Sequence, residues 1–252
     1  MLEIKNLSVR FGDLTIVENV SFSLRENAWL MLVGPNGAGK STIINAISQS
    51  VAYTGEALYN GADVRRLKPA RLARCMGVLT QNHSVAYSFT VGEIVRLGRY
   101  AYAPGIFSAA DGDAEERVAR ALEITGMLPF ENHSALTLSG GELQRAFLAQ
   151  VFAQDPKILI LDEPANHLDL VYQKQVFELI GEWLKAPGRA VISVVHDLSL
   201  ARAFGTEVLL LDKGRRVALG AAEEVLTREN LRSVYAMDVH DWMRRLLSQW
   251  GA

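Results

Sequence analysis

Gly34-Pro-Asn-Gly-Ala-Gly39-Lys40-Ser41 brings glycines, an ammonium group and a hydroxyl together in one short stretch. Glycine lets the backbone fold back closely with its N–H groups turned inward, and such groups at a helix start hold an anion. The spacing matches G-x-x-x-x-G-K-[ST] at every required position. The stretch also lies between an apolar run, Trp29–Val33, and a helical pattern, Ser41–Ser48. These residues, with Thr42, read as a nucleotide site. Lys40 would neutralise the β- and γ-phosphates, and the Ser41 hydroxyl would ligate Mg2+. A chance glycine-rich turn is the bland alternative, and it explains neither the lysine nor the hydroxyl.

Ile158-Leu-Ile-Leu-Asp162-Glu163-Pro164 ends an apolar strand in two adjacent carboxylates. The C-terminal end of a parallel strand is where an open α/β sheet binds its ligand. Asp162 is expected to reach the Mg2+ shell, directly or through water, leaving Glu163 to polarise the attacking water as general base. A strand that merely finishes in a charged turn would look the same, and the phosphate loop tips the balance. His196 follows the apolar strand Val191–Val195, and Gln81 follows Met76–Thr80. Each has two readings. His196 is a sensor of the γ-phosphate or a structural histidine, and Gln81 is a ligand of Mg2+ or water or a structural residue.

The elements that must position these groups are legible in the pattern. Residues 2–10 and 16–24 read as strands, and Asn60-Gly61 marks a turn. Ile158–Leu161 is a continuous apolar run and Val191–Val195 is apolar but for Ser193, rather than alternating, as expected of strands covered on both faces of a parallel sheet. Val208–Leu211 and Val217–Leu219 flank Asp212-Lys-Gly-Arg-Arg216 and read as a hairpin. Between residues 83 and 153 the pattern turns helical. Thr90-Val-Gly-Glu93 and Ser139-Gly-Gly-Glu142 fit capping boxes, and Ala114–Thr125 puts Val118, Ala121 and Leu122 on one face before Gly126. The expected fold class is α/β, with a parallel-sheet core, an antiparallel β lobe and an inserted α-helical subdomain. Glu229–Trp250 reads as one further helix with Trp242, Leu246 and Trp250 at i, i+4, i+8, expected to pack on the catalytic lobe or on a twin.

Composition narrows the function classes. The chain has 26 basic and 28 acidic side chains, so no strong field favours nucleic acid or anionic lipid. One cysteine, Cys75, fits a reducing compartment and excludes an internal disulfide framework. No apolar run approaches the roughly 20 residues of a membrane span, and the N-terminus lacks the apolar core of a signal peptide. Any link to a membrane is expected to run through a partner.

Leu138-Ser-Gly-Gly-Glu-Leu-Gln-Arg145 is in physical terms a capped helix start preceded by small residues, an anion-binding surface or an ordinary capping box. The octet resembles the signature motif of ATP-binding cassette (ABC) proteins. It falls in the family's order after the phosphate loop and Gln81 and before Asp162-Glu163 and His196, and the resemblance covers essentially the whole chain. It implies a P-loop NTPase. Residues 1–82 and 154–252 would form a RecA-like core with its β lobe, and 83–153 the helical subdomain. It further implies that two copies sandwich two ATP molecules head to tail, with Ser139, Gly140, Gly141 and Glu142 of one copy at the γ-phosphate held by Lys40 of the other. Ala165-Asn-His-Leu-Asp169 resembles the D-loop that links the two sites, and Phe11 falls where an aromatic ring stacks on adenine. Its other reading is a buried strand aromatic.

A narrower likeness, to the motor subunits of importers for iron-siderophore complexes, haem and cobalamin, rests on Gln81-Asn, Phe89–Tyr102, Glu163–Asp169 and Tyr172-Gln173. Those subunits usually carry arginine where Gly92 stands and proline where Ala101 stands. Zinc and manganese importers are close enough to confuse. Phe89, Tyr100 and Tyr102 either pack a core or line a groove for a short permease helix. The resemblance implies ATP and Mg2+ as cofactors, and a twin copy and integral membrane permease subunits as partners. A substrate-binding protein would act indirectly, with no nucleic acid involved, at the cytoplasmic face of the membrane. Two rivals stand beside this reading: a non-transport cassette ATPase, and an interaction module that binds ATP without turnover.

Overall fold

Apolar side chains alternate with polar ones along Leu2–Phe11 (β1) and Leu14–Leu24 (β2), which pair antiparallel. In the computed structural model, which describes residues 1–80, 87–102, 112–166 and 168–251, the chain divides into two units. The first takes in Met1–Asp63 and Val194–Ala252, the second Val64–Ser193. In the first unit, Trp29–Val33 (β3) is buried at every residue and leads through the glycine-rich stretch into Lys40–Ile47 (α1). Thr54–Tyr59 (β4) pairs antiparallel with β1, and Ala62–Asp63 (β5) with β4. The turn between them is Asn60-Gly61, both at positive φ (48° and 81°), as an Asn-Gly hairpin turn requires. The expected antiparallel lobe is therefore the sheet β2-β1-β4-β5.

The second unit runs through Pro69–Cys75 (α2), Met76–Leu79 (β6), Val91–Leu97 (α3), Ala114–Ile124 (α4) and Gly140–Gln154 (α5). It ends with Ile158–Asp162 (β7), Leu170–Leu184 (α6) and Ala190–Val194 (β8). Strands β6 and β7 pair in parallel from Met76↔Ile158 to Leu79↔Leu161, and β8 lies beside β7. Both β7 and β8 are buried throughout, so the non-alternating runs reported a two-sided burial. Val118, Ala121 and Leu122 are the buried residues of α4, as their spacing demands. Helix α5 stops at Asp155, which adopts φ 49°, and its carboxylate holds Arg117 at 2.6 Å and Arg189 at 2.8 Å.

Back in the first unit come Leu198–Phe204 (α7), Glu207–Asp212 (β9), Arg215–Gly220 (β10), Ala222–Val225 (α8), Arg228–Tyr235 (α9) and Val239–Ser248 (α10). Strand β9 pairs in parallel with β3 and antiparallel with β10. The five-residue connection expected between the last two strands tightens to Lys213-Gly214, both at positive φ, because the arginines that follow can extend the ladder. The single helix expected over Glu229–Trp250 is a correction. The chain breaks at Ala236 (φ 54°), and Asp238 restarts it as an N-cap accepting from the Asp241 N–H at 3.0 Å. Trp242, Leu246 and Trp250 remain 51%, 44% and 88% exposed, so this stripe is only partly covered by its own chain.

Both expected capping boxes are present. The Thr90 and Ser139 N–H groups donate to Glu93 and Glu142 at 2.7 and 2.8 Å, and the hydroxyls accept in return from the Glu93 and Glu142 N–H groups. Those backbone bonds first, and the hydroxyls second, hold both carboxyls below their ordinary value of 4.5. A depressed carboxyl pKa stabilises the fold above the unfolded value, and the contribution is lost as pH falls through the folded one. The stability gap between wild type and Glu93→Gln, measured by urea denaturation, should be full at pH 7 and close at acid pH. Thr90→Ala at pH 7 should cost about 1 kcal/mol.

Candidate nucleotide site

The loop 34–41 is shaped by close backbone approaches that only glycine permits. Gly34 sits at φ 147°, where a Cβ would lie 2.2 Å from the Leu211 carbonyl oxygen at the end of β9. Gly39, at φ 90°, is the N-cap of α1, and a Cβ there would meet Val17 Cγ2 at 2.9 Å and the Ile16 oxygen at 3.0 Å. The Lys213-Gly214 turn braces the loop: the Gly214 N–H donates to the Ala38 oxygen, and the Glu18 N–H donates to the Gly214 oxygen. The loop is thus held between β2 and the β9–β10 turn.

Lys40 is 5% exposed, and its ammonium donates to the Gly34 and Pro35 carbonyls, both at 2.8 Å. Unlike α3 and α5, α1 has no side-chain cap at its N-terminus. An uncapped helix start wrapped by a glycine loop around a buried cation is built to receive phosphate. Asn36 and Gly37 at the loop's tip are exposed, whereas Ala38 is buried and Ser41 and Thr42 are half-buried.

In the second unit, Asp162 closes β7 with 6% exposure. The next residue, Glu163, takes φ 54°, a conformation rarely adopted by a residue with a long side chain and one concentrated at functional sites. Asn166 holds that turn twice. Its N–H donates to the Glu163 carbonyl at 3.1 Å and its side-chain amide to Glu163 Oε2 at 2.5 Å. Gln144 of α5 donates to the Pro164 carbonyl at 2.8 Å, and Asp169 caps α6 by accepting from the Tyr172 N–H at 3.0 Å. The structure therefore gathers Asp162, Glu163, Asp169 and Ser139–Glu142 in one unit, and the phosphate loop, Phe11 and His196 in the other.

His196 is exposed one residue beyond Val195, whose N–H donates to the Leu32 carbonyl of β3. Phe11 is 55% exposed at the end of β1, so the buried-aromatic reading fails for it. Gln81 lies outside the described residues. Phe89 and Tyr100 are 42% and 80% exposed, and Tyr102 lies beneath the Arg99 and Arg74 guanidinium groups at 3.8 and 4.8 Å, where burial raises its phenol pKa. Phe89 and Tyr100 are thus exposed, whereas Tyr102 is half-buried beneath the two arginines. At Gly92, a Cβ would fall 2.7 Å from Arg96 Nη1, so Arg96 takes the ground a side chain at 92 would need; hydrogen bonding to Glu115 raises its pKa.

Three residues escaped the sequence reading. Gln144 and Asn166 stand inside recognised motifs, but their bonds to Pro164 and Glu163 depend on backbone turns that no spacing rule specifies. Tyr235, at the end of α9, reaches the backbone of Gly34. Burial raises its phenol pKa, and that hydrogen bond lowers it in part. Nothing in the periodicity of α9 marks it.

A family model described as ABC transporter matches residues 17–166. The chain belongs to the ABC transporter family. It is an ATP-binding, ATP-hydrolysing cassette of that family, and the fold is that of P-loop NTPases. The ABC transporter ATP-binding protein YvrA of Bacillus subtilis is 36% identical over 94% of the chain, which spans only 54% of that relative. The hemin import ATP-binding protein HmuV of Rhizobium johnstonii is 38% identical, covering 93% of this chain and 90% of the relative. The ferric enterobactin transport ATP-binding protein FepC of Escherichia coli is 33% identical, covering 92% and 86%. A putative metal-chelate type ABC transporter, solved in an inward-facing conformation, matches with TM-score 0.81 at 24% identity over 94% of this chain and 89% of that one, which supports the fold. A bacterial cassette solved as a dimer matches with TM-score 0.78 at 25% identity, over 88% of this chain and 99% of that one. Among the described residues no helix is long and apolar enough to cross a membrane.

Gly34→Ala forces a Cβ into the Leu211 carbonyl, whereas Gly37→Ala meets nothing within 4 Å and suffers only from its φ of 80°. The first should abolish binding of a fluorescent ATP analogue and lower the melting temperature. The second should cost about 1 kcal/mol of stability and keep measurable binding.

Proposed function

We propose that the chain is the motor subunit of an importer for iron-siderophore, haem or cobalamin-like cargo, working as a head-to-tail pair of copies beneath integral membrane permease subunits. The observation that carries this reading is the uncapped, glycine-looped start of α1 closed around the Lys40 ammonium. The names of HmuV and FepC support the cargo class, and the dimeric cassette supports the pairing. Residues 1–82 and 154–252 would act as the RecA-like core and 83–153 as the helical subdomain that meets the permease, peripheral to the cytoplasmic face. Phe89 and Tyr100, exposed in that segment, suit a docking groove.

In this reading Lys40 leaves the Gly34 and Pro35 carbonyls for the β- and γ-phosphate oxygens, while loop N–H groups and Thr42 enclose the phosphate chain. Phe11 stacks on adenine. The residues present fit Mg2+, which needs only one or two protein oxygens beside phosphate and water. The Ser41 hydroxyl and the Asp162 carboxylate supply them, with Gln81 as a further candidate. When bound, the ion neutralises charge developing on the phosphate oxygens. Glu163 takes the proton of the attacking water, oriented by the Asn166 amide on Oε2, and His196 contacts the γ-phosphate. Ser139, Gly140, Gly141 and Glu142 close the site from the second copy. Ser139 must first loosen its hydroxyl from Glu142, to which it donates at 2.8 Å. Asp169 belongs to the segment that links the two sites.

Glu163→Gln should retain ATP binding and lose turnover by about 10²-fold or more, read by phosphate release from purified protein. Full turnover in that variant would remove the general base. Ser139→Arg, which blocks the second copy's contact, should also abolish hydrolysis, and unchanged hydrolysis would refute the paired arrangement.

A further inference from the structure

The proposed function leaves open how contact at the signature helix of one copy reaches that copy's own carboxylate turn. Tyr172, in the first turn of α6, touches both sides of that question. Its ring lies against Gly141, where a Cβ would stand 3.0 to 3.3 Å from Cδ2, Cγ and Cε2. One turn along α5, on the same face, the Arg145 guanidinium carbon lies 5.2 Å from the centre of the same ring. Arg145 Nε is buried without an acceptor among the described residues. A buried donor left unpaired is costly, so the arginine is placed by its contact with the aromatic face rather than by an acceptor for that N–H. The Tyr172 backbone N–H is the donor that Asp169 accepts, and Gln144, between the two Tyr172 contacts in sequence, holds Pro164. The start of α5 is thus tied at two places: at Pro164 through Gln144, and at Tyr172 through Gly141 and Arg145.

We infer that Tyr172 is a positioning residue, whose ring fixes the start of α5 to the segment carrying Glu163 and Asp169 so that both move as one piece. This rests on the reading above, in which α5 of one copy meets the ATP of the other. The ring is what the geometry uses. Gly141 is matched to it because a larger residue would push the two apart, and Arg145 covers the same ring one helical turn further along. Tyr172 touches no reacting atom in this arrangement. Its loss should leave nucleotide capture at the phosphate loop intact and impair the step that needs two aligned copies.

The test uses the purified full chain, with ATP turnover followed over a range of ATP concentrations and binding of a fluorescent ATP analogue measured alongside. Tyr172→Ala should lower kcat about tenfold and reduce the Hill coefficient towards one, with the analogue's Kd unchanged. Tyr172→Phe should behave as wild type, because the ring remains, and Tyr172→Leu should fall between. If Tyr172→Ala does not fold, Arg145→Met, which removes the cation and keeps a good helix former, should show the same kcat and Hill-coefficient loss to a smaller extent. Wild-type kcat and cooperativity in a folded Tyr172→Ala or Arg145→Met protein would overturn the inference, as would a Tyr172→Phe enzyme as poor as the alanine variant. Loss of analogue binding together with turnover would show a purely structural role and overturn it too. Glu163→Gln, run in parallel, separates the two layers. If it is inactive while Tyr172→Ala is normal, only the positioning role fails; if it turns over freely, the functional reading fails with it.

Discussion

A lysine ammonium in a protein interior is tolerated only when oxygen atoms surround it. Lys40 meets that condition through the carbonyls of Gly34 and Pro35, and much of the first unit is arranged to make those carbonyls available. Gly34 can turn its oxygen inward because it has no Cβ to strike Leu211. Gly39 lets α1 begin against Ile16 and Val17, and Gly214 bonds Ala38 from behind. A phosphate brings that ammonium negative charge as well as oxygen acceptors, which a carbonyl does not. The loop is formed in advance of the ligand.

The second unit solves a different problem. Its carboxylates must stand at a strand end and still point usefully, and the chain achieves this with a backbone conformation that glutamate disfavours. Strain of that kind persists only where neighbours over-determine it. Asn166 binds both the carbonyl and the carboxylate of Glu163, Gln144 holds the next residue, and Asp169 seals the following helix. The same short segment is tied to α5, so its attitude is linked to the helix whose capped start carries Ser139.

Much of this was legible in the sequence, for reasons that differ by element. Buried strands such as β7 and β8 announce themselves because burial on both faces favours apolar residues, with Asp162 and Ser193 as buried polar exceptions. The capping boxes at Thr90 and Ser139 follow from a local rule linking residues three apart. The hairpin turns followed from Asn60-Gly61 and, more narrowly than expected, from Lys213-Gly214. The break at Ala236 was hidden because alanine is the best of helix formers, and the restart is marked by the Asp238 cap and its ion pair with Arg228. The contact of Tyr235 with Gly34 spans about two hundred residues of chain, and no periodicity encodes it. The role of Phe11 came from resemblance and that of His196 from its place at a strand end and the family's order, and both side chains are exposed.

The absence of a side chain at Gly92 has a consequence for the charges around it. The first atom of any side chain there would fall on a guanidinium already engaged with Glu115 and Glu131. A side chain at 92 would therefore have to displace the ends of Arg96 and Glu131, and the ion pairs that join α3 to α4 and to the segment after it would have to re-form around it.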